Sequence, residues 1–457
     1  MRNKIVLWFA GCFMALMTSC LSSSNEYIYE VSRNCQLLSF TLENDSVEGL
    51  STLEFTIDQL GNAVFNLDSM PVGTEIGKVL IDTMTYGSAT TGVRIYQTAT
   101  GDTIDYSNED SVDFSQPVEI LIYTGEAIAR KYDAWVNIHT QEPDSLVWKF
   151  YSDELLSQPM DEVKVITNSY AEAGEDTYLM YARPVGTQAY LLYTAPMDAP
   201  DRWTEQALSG LPTSGLLLEQ MTTFNNQLYV PATDGALYAS ADGATWSRQE
   251  GAPMVKALLG GLSNSVNQPA ALAAVVEAEG SLVFAAMDVD GSWEMGAGVP
   301  AEFPISGFAS TDMDLMYRDR LLIVGGRTAG NQLVNTTWST MDARTWANLT
   351  DAQKSYFTKK EGANVAYYDD KFYLIGGMDE AGKPTKDIHL SIDHGVTWSY
   401  IDSLVVLPNE YAARGFASMI VDKDNYLCIF GGKTAKTVSV LNEVWRGRIN
   451  RLGFERQ

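Results

Sequence analysis

The chain has 457 residues, 46% hydrophobic and 11% aromatic, which excludes a mostly disordered protein and suits a large repeat domain plus a smaller one. Lys and Arg number 31 against 58 Asp and Glu, a net charge of −27. Most of such a surface repels a phosphate backbone, so nucleic acid is not an expected partner.

At the start, Arg2 and Lys4 precede an apolar run from Ile5 to Met17 that ends in Thr18-Ser19-Cys20. The run is too short for a settled transmembrane helix and has the layout of a processed signal. Met17-Thr18-Ser19-Cys20 resembles the lipobox of bacterial lipoproteins, with Met17 where Leu is usual. That resemblance implies a signal peptide over 1–19, lipidation of Cys20 and a polar tether over 20–26. The membrane is then a partner through the lipid anchor. No Asp at position 21 asks for inner-membrane retention, so the implied address is the outer membrane, facing the periplasm or the cell surface. Cys35 and Cys428 fall in different predicted domains, and no disulfide is expected.

Residues 27–140 read as short strands: Gln36–Leu42, Leu53–Asp58, Ala63–Leu67, Lys78–Ile81, Gly92–Gln97 and Val118–Tyr123. Turn signals such as Gly61-Asn62 and Thr100-Gly101-Asp102 separate them. The pattern predicts an immunoglobulin-like β-sandwich, most simply a spacer.

Residues 141–457 carry a repeat. Ser391-Ile392-Asp393-His394-Gly395-Val396-Thr397-Trp398 fits a tight turn: Asp393 accepts bonds from turn amides, Gly395 takes a positive φ, and Trp398 buries its ring. Shorter copies place Asp242 with Trp246 and Asp342 with Trp346, and looser ones lead to Trp148, Trp203 and Trp293. These intervals lie near the roughly 40 to 50 residues of a propeller blade. Later repeats add strands ending in double glycines: Leu321–Gly326, Phe372–Gly377 and Tyr426–Gly432. Trp445 aligns with Trp338 and His389 on a third strand, so the last repeat lacks its outer strand. Ser145–Tyr151, with Trp148, is spare at the other end and is expected to close the ring. A further internal match sets Gly307-Phe308-Ala309-Ser310 against Gly415-Phe416-Ala417-Ser418. The expected fold is all-β, with a six-bladed propeller.

The double glycines with Asn442-Glu443-Val444-Trp445 resemble kelch repeats, and the Asp393 turn resembles the Asp box of sialidase-type propellers. In sialidases such turns lie away from the substrate, so Asp242, Asp342, Asp393, Gly395 and the three tryptophans are expected to be structural. The layout of lipobox, small β-domain and propeller resembles a family of Bacteroidetes surface lipoproteins of unassigned function, a resemblance whose motifs describe blades and offer no catalytic residues to carry over.

A sialidase would need an arginine cluster with a tyrosine and glutamate pair. Arg183, Arg318, Arg320 and Arg414 do not form that pattern, and Arg183-Pro184-Val185 is not the expected signature. His139, His389 and His394 show no metal-ligand spacing, and no G-x-S-x-G elbow occurs. No metal, cofactor or catalytic residue is expected. The loops after the double glycines carry Arg327, Lys383 with Lys386, and Lys433 with Lys436. Arg327, Lys383 and Lys433 are the ligand-binding candidates, for an acidic glycan or an acidic protein surface. The expected function is a lipid-anchored, non-catalytic binding or assembly platform for glycan or protein. The opposing expectation is a glycoside hydrolase or lyase with paired carboxylates in the central channel. A third is a structural subunit of a surface complex, marked by an apolar patch.

Overall fold

The computed structural model describes residues 34–451 except 126, 153–154, 169–176, 266–267, 316–317, 351–356 and 401–402. The expected signal peptide, Cys20 and the expected tether lie outside these residues. The chain divides into two compact units that meet in sequence between Glu142 and Pro143.

The first unit is two sheets around one core. Strands β1 (Leu37–Glu43), β4 (Val79–Tyr86) and β7 (Ser111–Val112) form one sheet in the order β1-β4-β7. The other sheet contains β2 (Phe55–Asp58), β3 (Ala63–Asn66), β5 (Gly92–Gln97), β6 (Asp102–Asp105), β8 (Val118–Thr124) and β9 (Ala127–Ala134). Its order is β2-β3-β9-β8-β5-β6, with β3 parallel to β9. Along β8 the pleat sends Val118, Ile120 and Ile122 inward to meet Leu37, Ile81 and Ile95. Such two-residue alternation is what packs one face of a sheet. The Tyr132 hydroxyl accepts the Leu37 amide at 3.2 Å and donates to Gln59 at 2.7 Å, tying the sheets where a bare hydroxyl would be costly. The sequence pattern locates six of these strands and misses β6, β7 and β9; β9 hides because Arg130 and Lys131 break its apolar pattern.

The second unit is a β-propeller built from four-stranded antiparallel sheets. Five run in chain order: β11 (Met160–Thr167), β12 (Thr177–Pro184), β13 (Leu191–Pro196) and β14 (Thr204–Gln206); β15 (Thr222–Phe224), β16 (Gln227–Pro231), β17 (Leu237–Ser240) and β18 (Ser247–Arg248); β19 (Met254–Leu262), β20 (Ala271–Ala278), β21 (Ser281–Met287) and β22 (Trp293–Gly298); β24 (Ala309–Leu315), β25 (Arg318–Val324), β27 (Thr337–Thr340) and β28 (Ala347–Asn348); and β29 (Asn364–Tyr368), β30 (Lys371–Ile375), β31 (Ile388–Ser391) and β32 (Ser399–Tyr400). A short pair, β23 (Pro304–Ser306) with β26 (Arg327–Thr328), stands beside the fourth.

The remaining sheet is composite. Strands β33 (Gly415–Val421), β34 (Leu427–Lys433) and β35 (Val444–Ile449) take their outer strand from β10 (Leu146–Ser152), giving the order β10-β35-β34-β33. Trp148 pairs with Gly447, where any β-carbon would meet the indole, and its Nε1 donates to the Val406 carbonyl at 3.0 Å. Phe150 packs on Trp445 with centroids 4.9 Å apart. Closure in this way pairs what would be two open edges.

The first strands neighbour one another around an axis, β11 beside β33, β33 beside β29, β29 beside β24, β24 beside β19 and β19 beside β15. Because each sheet alternates direction, the turns after first and third strands lie at one end. The double-glycine loops and the segments leading into first strands lie at the other.

Two local expectations change. Trp246, Trp346 and Trp398 stand one residue before outer strands β18, β28 and β32, so they belong to the turn. The match of Gly307 with Gly415 is one residue out of register. Ala309 pairs with Val324 just before Gly325, whereas Ser418 pairs with Phe430 just before Gly431. Phe416, with φ 56°, therefore occupies the place of Gly307 (φ 57°) and Gly362 (φ 62°).

Candidate functional site

At the turn end, the three Asp turns share one geometry. Asp242 Oδ1 accepts the amides of Ala244 and Thr245 at 2.8 and 2.7 Å. Asp342 Oδ1 accepts those of Arg344 and Thr345 at 3.0 and 2.8 Å. Asp393 accepts the Thr397 amide at 2.8 Å and its hydroxyl at 2.6 Å. The preceding Ser240, Thr340 and Ser391 hydroxyls each bond the same carboxylate and accept a turn amide. Burial pushes all three carboxyls up, but these donors outweigh it and hold them below the ordinary aspartate value. His394 takes φ 61° and Gly395 φ 90°; a β-carbon at Gly395 would press Leu322. Trp398 is buried and donates to Thr337 Oγ1 at 3.0 Å, Trp246 is buried against Tyr181, and Trp346 stacks on Phe284. These groups are satisfied within the chain.

At the other end, the double glycines adopt a repeated left-handed pair: Gly325 and Gly326 at φ 61° and 99°, Gly376 and Gly377 at 67° and 100°, Gly431 and Gly432 at 63° and 91°. Glycine alone does this without steric cost. The turned carbonyls are met by buried cations from the segment before the first strand. Lys360 Nζ donates to the Gly376 carbonyl and to Asp387, both at 3.1 Å. Arg414 donates to the Gly431 carbonyl at 2.8 Å and Glu443 at 2.5 Å. Arg414 is thereby a structural group, and Arg183 is held by Asp161 and Glu162 at 3.1 and 2.7 Å.

Inside this end opens a cavity of about 520 Å³ to which all six first strands contribute. Its wall includes Asp161, Glu162, Lys164, Glu219, Phe416, Lys433 and Lys436. Lys164 lies on β11, and its Nζ donates to the Glu219 backbone carbonyl at 3.2 Å. Desolvation pulls its ammonium down to about 8, against a smaller upward pull from Glu219. Glu219 reaches channel solvent yet is walled by protein, and desolvation raises its carboxyl, helped by the charges of Glu162 and Glu361 and opposed by the Gly307 amide. Burial also pushes Glu361 up, but Arg327 and Lys436 together bring it below the ordinary glutamate value.

The three ligand-binding candidates part company here. Arg327 is clamped on Glu361 by two bonds of 2.7 Å and also donates to the Asn331 carbonyl. Lys433 is half-buried at the end of β34 and lines the cavity. Lys383 sits on an exposed loop and does not line it. Lys436, on the loop after Lys433, lines the cavity and pairs with Glu361. Lys164, Glu219 and Glu361 escaped notice because no motif surrounds them. The usable signal was alternation on short first strands, as in Glu162-Val163-Lys164-Val165, where Lys164 faces opposite to buried Val165. His389 is buried, its Nδ1 3.5 Å from Asp387; His394 contacts the Met313 sulfur; His139 stands near the end of the first unit.

The fold and site together define an all-β protein whose larger unit is a β-propeller with a charged axial cavity. The chain belongs to the DUF6242 family: residues 142–457 match the DUF6242 beta propeller domain, and residues 29–136 match the DUF6242 N-terminal domain, a domain of unknown function. Among solved structures it is similar to "Structure of YjhT", with 15% identity, 64% of this chain and 97% of that chain covered, and a TM-score of 0.43. No curated protein matches the chain.

Proposed function

We propose that this chain is a lipoprotein anchored through Cys20 in the outer membrane, whose propeller binds an acidic glycan without turning it over. The six four-stranded sheets are its blades. In the first unit, β1-β4-β7 faces β9-β8-β5-β6, with β3 parallel along β9. That order matches an immunoglobulin-type sandwich and supports a spacer domain.

One observation carries the ligand. In a chain with net charge −27, the cavity mouth gathers Lys164, Arg183, Arg327, Lys433 and Lys436 around Asp161, Glu162, Glu219 and Glu361. Cations match or exceed anions there, so an anionic group is drawn to the mouth and repelled elsewhere. Lys433 supplies the contact at the wall, while Arg327 shapes the site by fixing Glu361. The test is binding of the purified chain starting at Ser22 to a glycan array, with sugar release assayed in parallel. Binding of acidic glycans that weakens in Lys433→Ala with Lys436→Ala, and no release, is the expected result. Binding confined to neutral glycans would overturn it.

A second reading, hydrolysis, is favoured by one feature: Glu219 lines the cavity and desolvation raises its carboxyl, as suits a general acid. Sugar release abolished by Glu219→Gln would establish it.

A further inference from the structure

A second cavity, of about 730 Å³, lies at the far ends of the first strands, and its wall differs in chemistry from the mouth. Asn225, Asn226, Asn264, Asp288 and Asp312 line it, with Gly260 and Gly261 packed close against Leu321 and the Thr223 carbonyl; among the described residues no Lys or Arg lines it. The two cavities adjoin, because Thr167, Thr222, Thr223 and Ser310 line both. Three threonines and a serine thus stand at the waist between them, and the Ser310 hydroxyl donates to the Leu259 carbonyl. Each chamber alone is within the roughly 300 to 1,000 Å³ that holds one small ligand. Two in series, lined first by charges of both signs and then by amides, hydroxyls and the carboxylates of Asp288 and Asp312, suit a chain of units rather than one.

Phe416 adds an independent observation at the entrance. A bulky residue at φ 56° is a strained outlier, and the equivalent positions in the two preceding sheets are glycines. The main-chain bonds there are the same in kind: the Gly362 amide donates to Gly307 and the Phe416 amide to Gly362, both at 2.7 Å. The backbone thus gains nothing from the aromatic. Its ring lies over Gly362 and forms part of the cavity wall, half-buried. A flat apolar face beside cations is what the C–H face of a pyranose packs against.

We infer that the channel is a two-chamber site for an unbranched anionic oligosaccharide, which enters past Phe416, sets its charged groups against Lys433 and Lys436, and runs its hydroxyls through the threonine waist. The far chamber also carries Phe224, Leu262, Val289 and Leu321, so an extended peptide is the competing occupant, and poly-glutamate tests it. This rests on the acidic-glycan reading above and adds chain length to it.

The experiment is calorimetry of the chain starting at Ser22 with linear galacturonate oligomers of one to six units, and with poly-glutamate of matching lengths. The expected result is at least a tenfold gain in affinity between one unit and four. Thr223→Phe, which fills the waist, should remove that gain; Asn226→Ala should reduce it in part. Phe416→Gly should weaken every length about tenfold with no loss of melting temperature. Affinity independent of length, or Thr223→Phe without effect, overturns the two-chamber inference while leaving acidic-glycan binding standing. No galacturonate binding at any length overturns both, and so does length-dependent binding of poly-glutamate alone.

Discussion

The two ends of the propeller treat charge in opposite ways. At the turn end, Asp242, Asp342 and Asp393 spend their oxygens on amides and hydroxyls of their own turns, and their carboxyls are held low. At the mouth, Lys164 is pulled down, Glu219 is pushed up and Phe416 sits in a strained backbone region. A carboxylate whose bonds are all met locally stabilises the fold and has nothing left for a ligand. Groups whose charged form is disfavoured by desolvation, and residues held in a strained backbone region, raise the folded state's free energy, and they persist where function uses them. Repetition is therefore a poor guide to function in this chain, because the most repeated motif is the most satisfied one.

Mutations can break that contrast. Trp398→Ala empties a fully buried site and should cost about 3–5 kcal/mol, read by denaturant unfolding, with ligand affinity of the folded fraction unchanged. Asp393→Ala leaves the Thr397 amide without its acceptor and should cost about 1–3 kcal/mol by the same measurement. Lys433→Ala with Lys436→Ala should move stability by no more than about 0.5 kcal/mol, since Arg327 still holds Glu361, while acidic-glycan affinity drops. If the lysine pair costs more stability than Asp393→Ala, the contrast between the two ends fails.

Titration sharpens it further. The Asp-turn carboxyls lie below 3.8 when folded, so their stabilisation is full above about pH 4 and is lost as pH falls through the folded values. Lys164 has the opposite sign. Its folded value of about 8 lies below the ordinary 10.5, so the folded chain binds fewer protons across that window and stability rises with pH from about 8 to 10.5. Lys164→Met should remove that rise, measured as melting temperature against pH. In the same window wild-type affinity for an acidic glycan should fall as the amine loses its charge. The smallest effect belongs to Lys383→Ala, which should change neither stability nor affinity, since that side chain is exposed and away from the cavity wall.

How much could be read in advance follows from the range of each interaction. The Asp turn is legible because its acceptor, its donors and its left-handed residues all fall within seven consecutive residues, Ser391 to Thr397 in the fullest copy. The spare strand Leu146–Ser152 is legible because a repeat with a missing member implies a partner elsewhere. The off-by-one match at Phe416 shows the limit. Gly-Phe-Ala-Ser recurs in letters, yet pairing to Val324 in one sheet and Phe430 in the other shifts the register by one residue and puts a phenylalanine where glycine is expected.

The repeat period and the turn chemistry of the propeller were settled by local order along the chain, since each depends on alternation, turn residues and fixed spacing. The site was settled only by closure of the ring. Lys164, Glu219 and Glu361 are strangers in sequence to one another and to Phe416 and Lys433, which share the composite sheet. Desolvation of Lys164 and Glu219 exists only once the first strands surround one axis, because a pKa shift depends on what fills the space around a group and not on its neighbours in the chain.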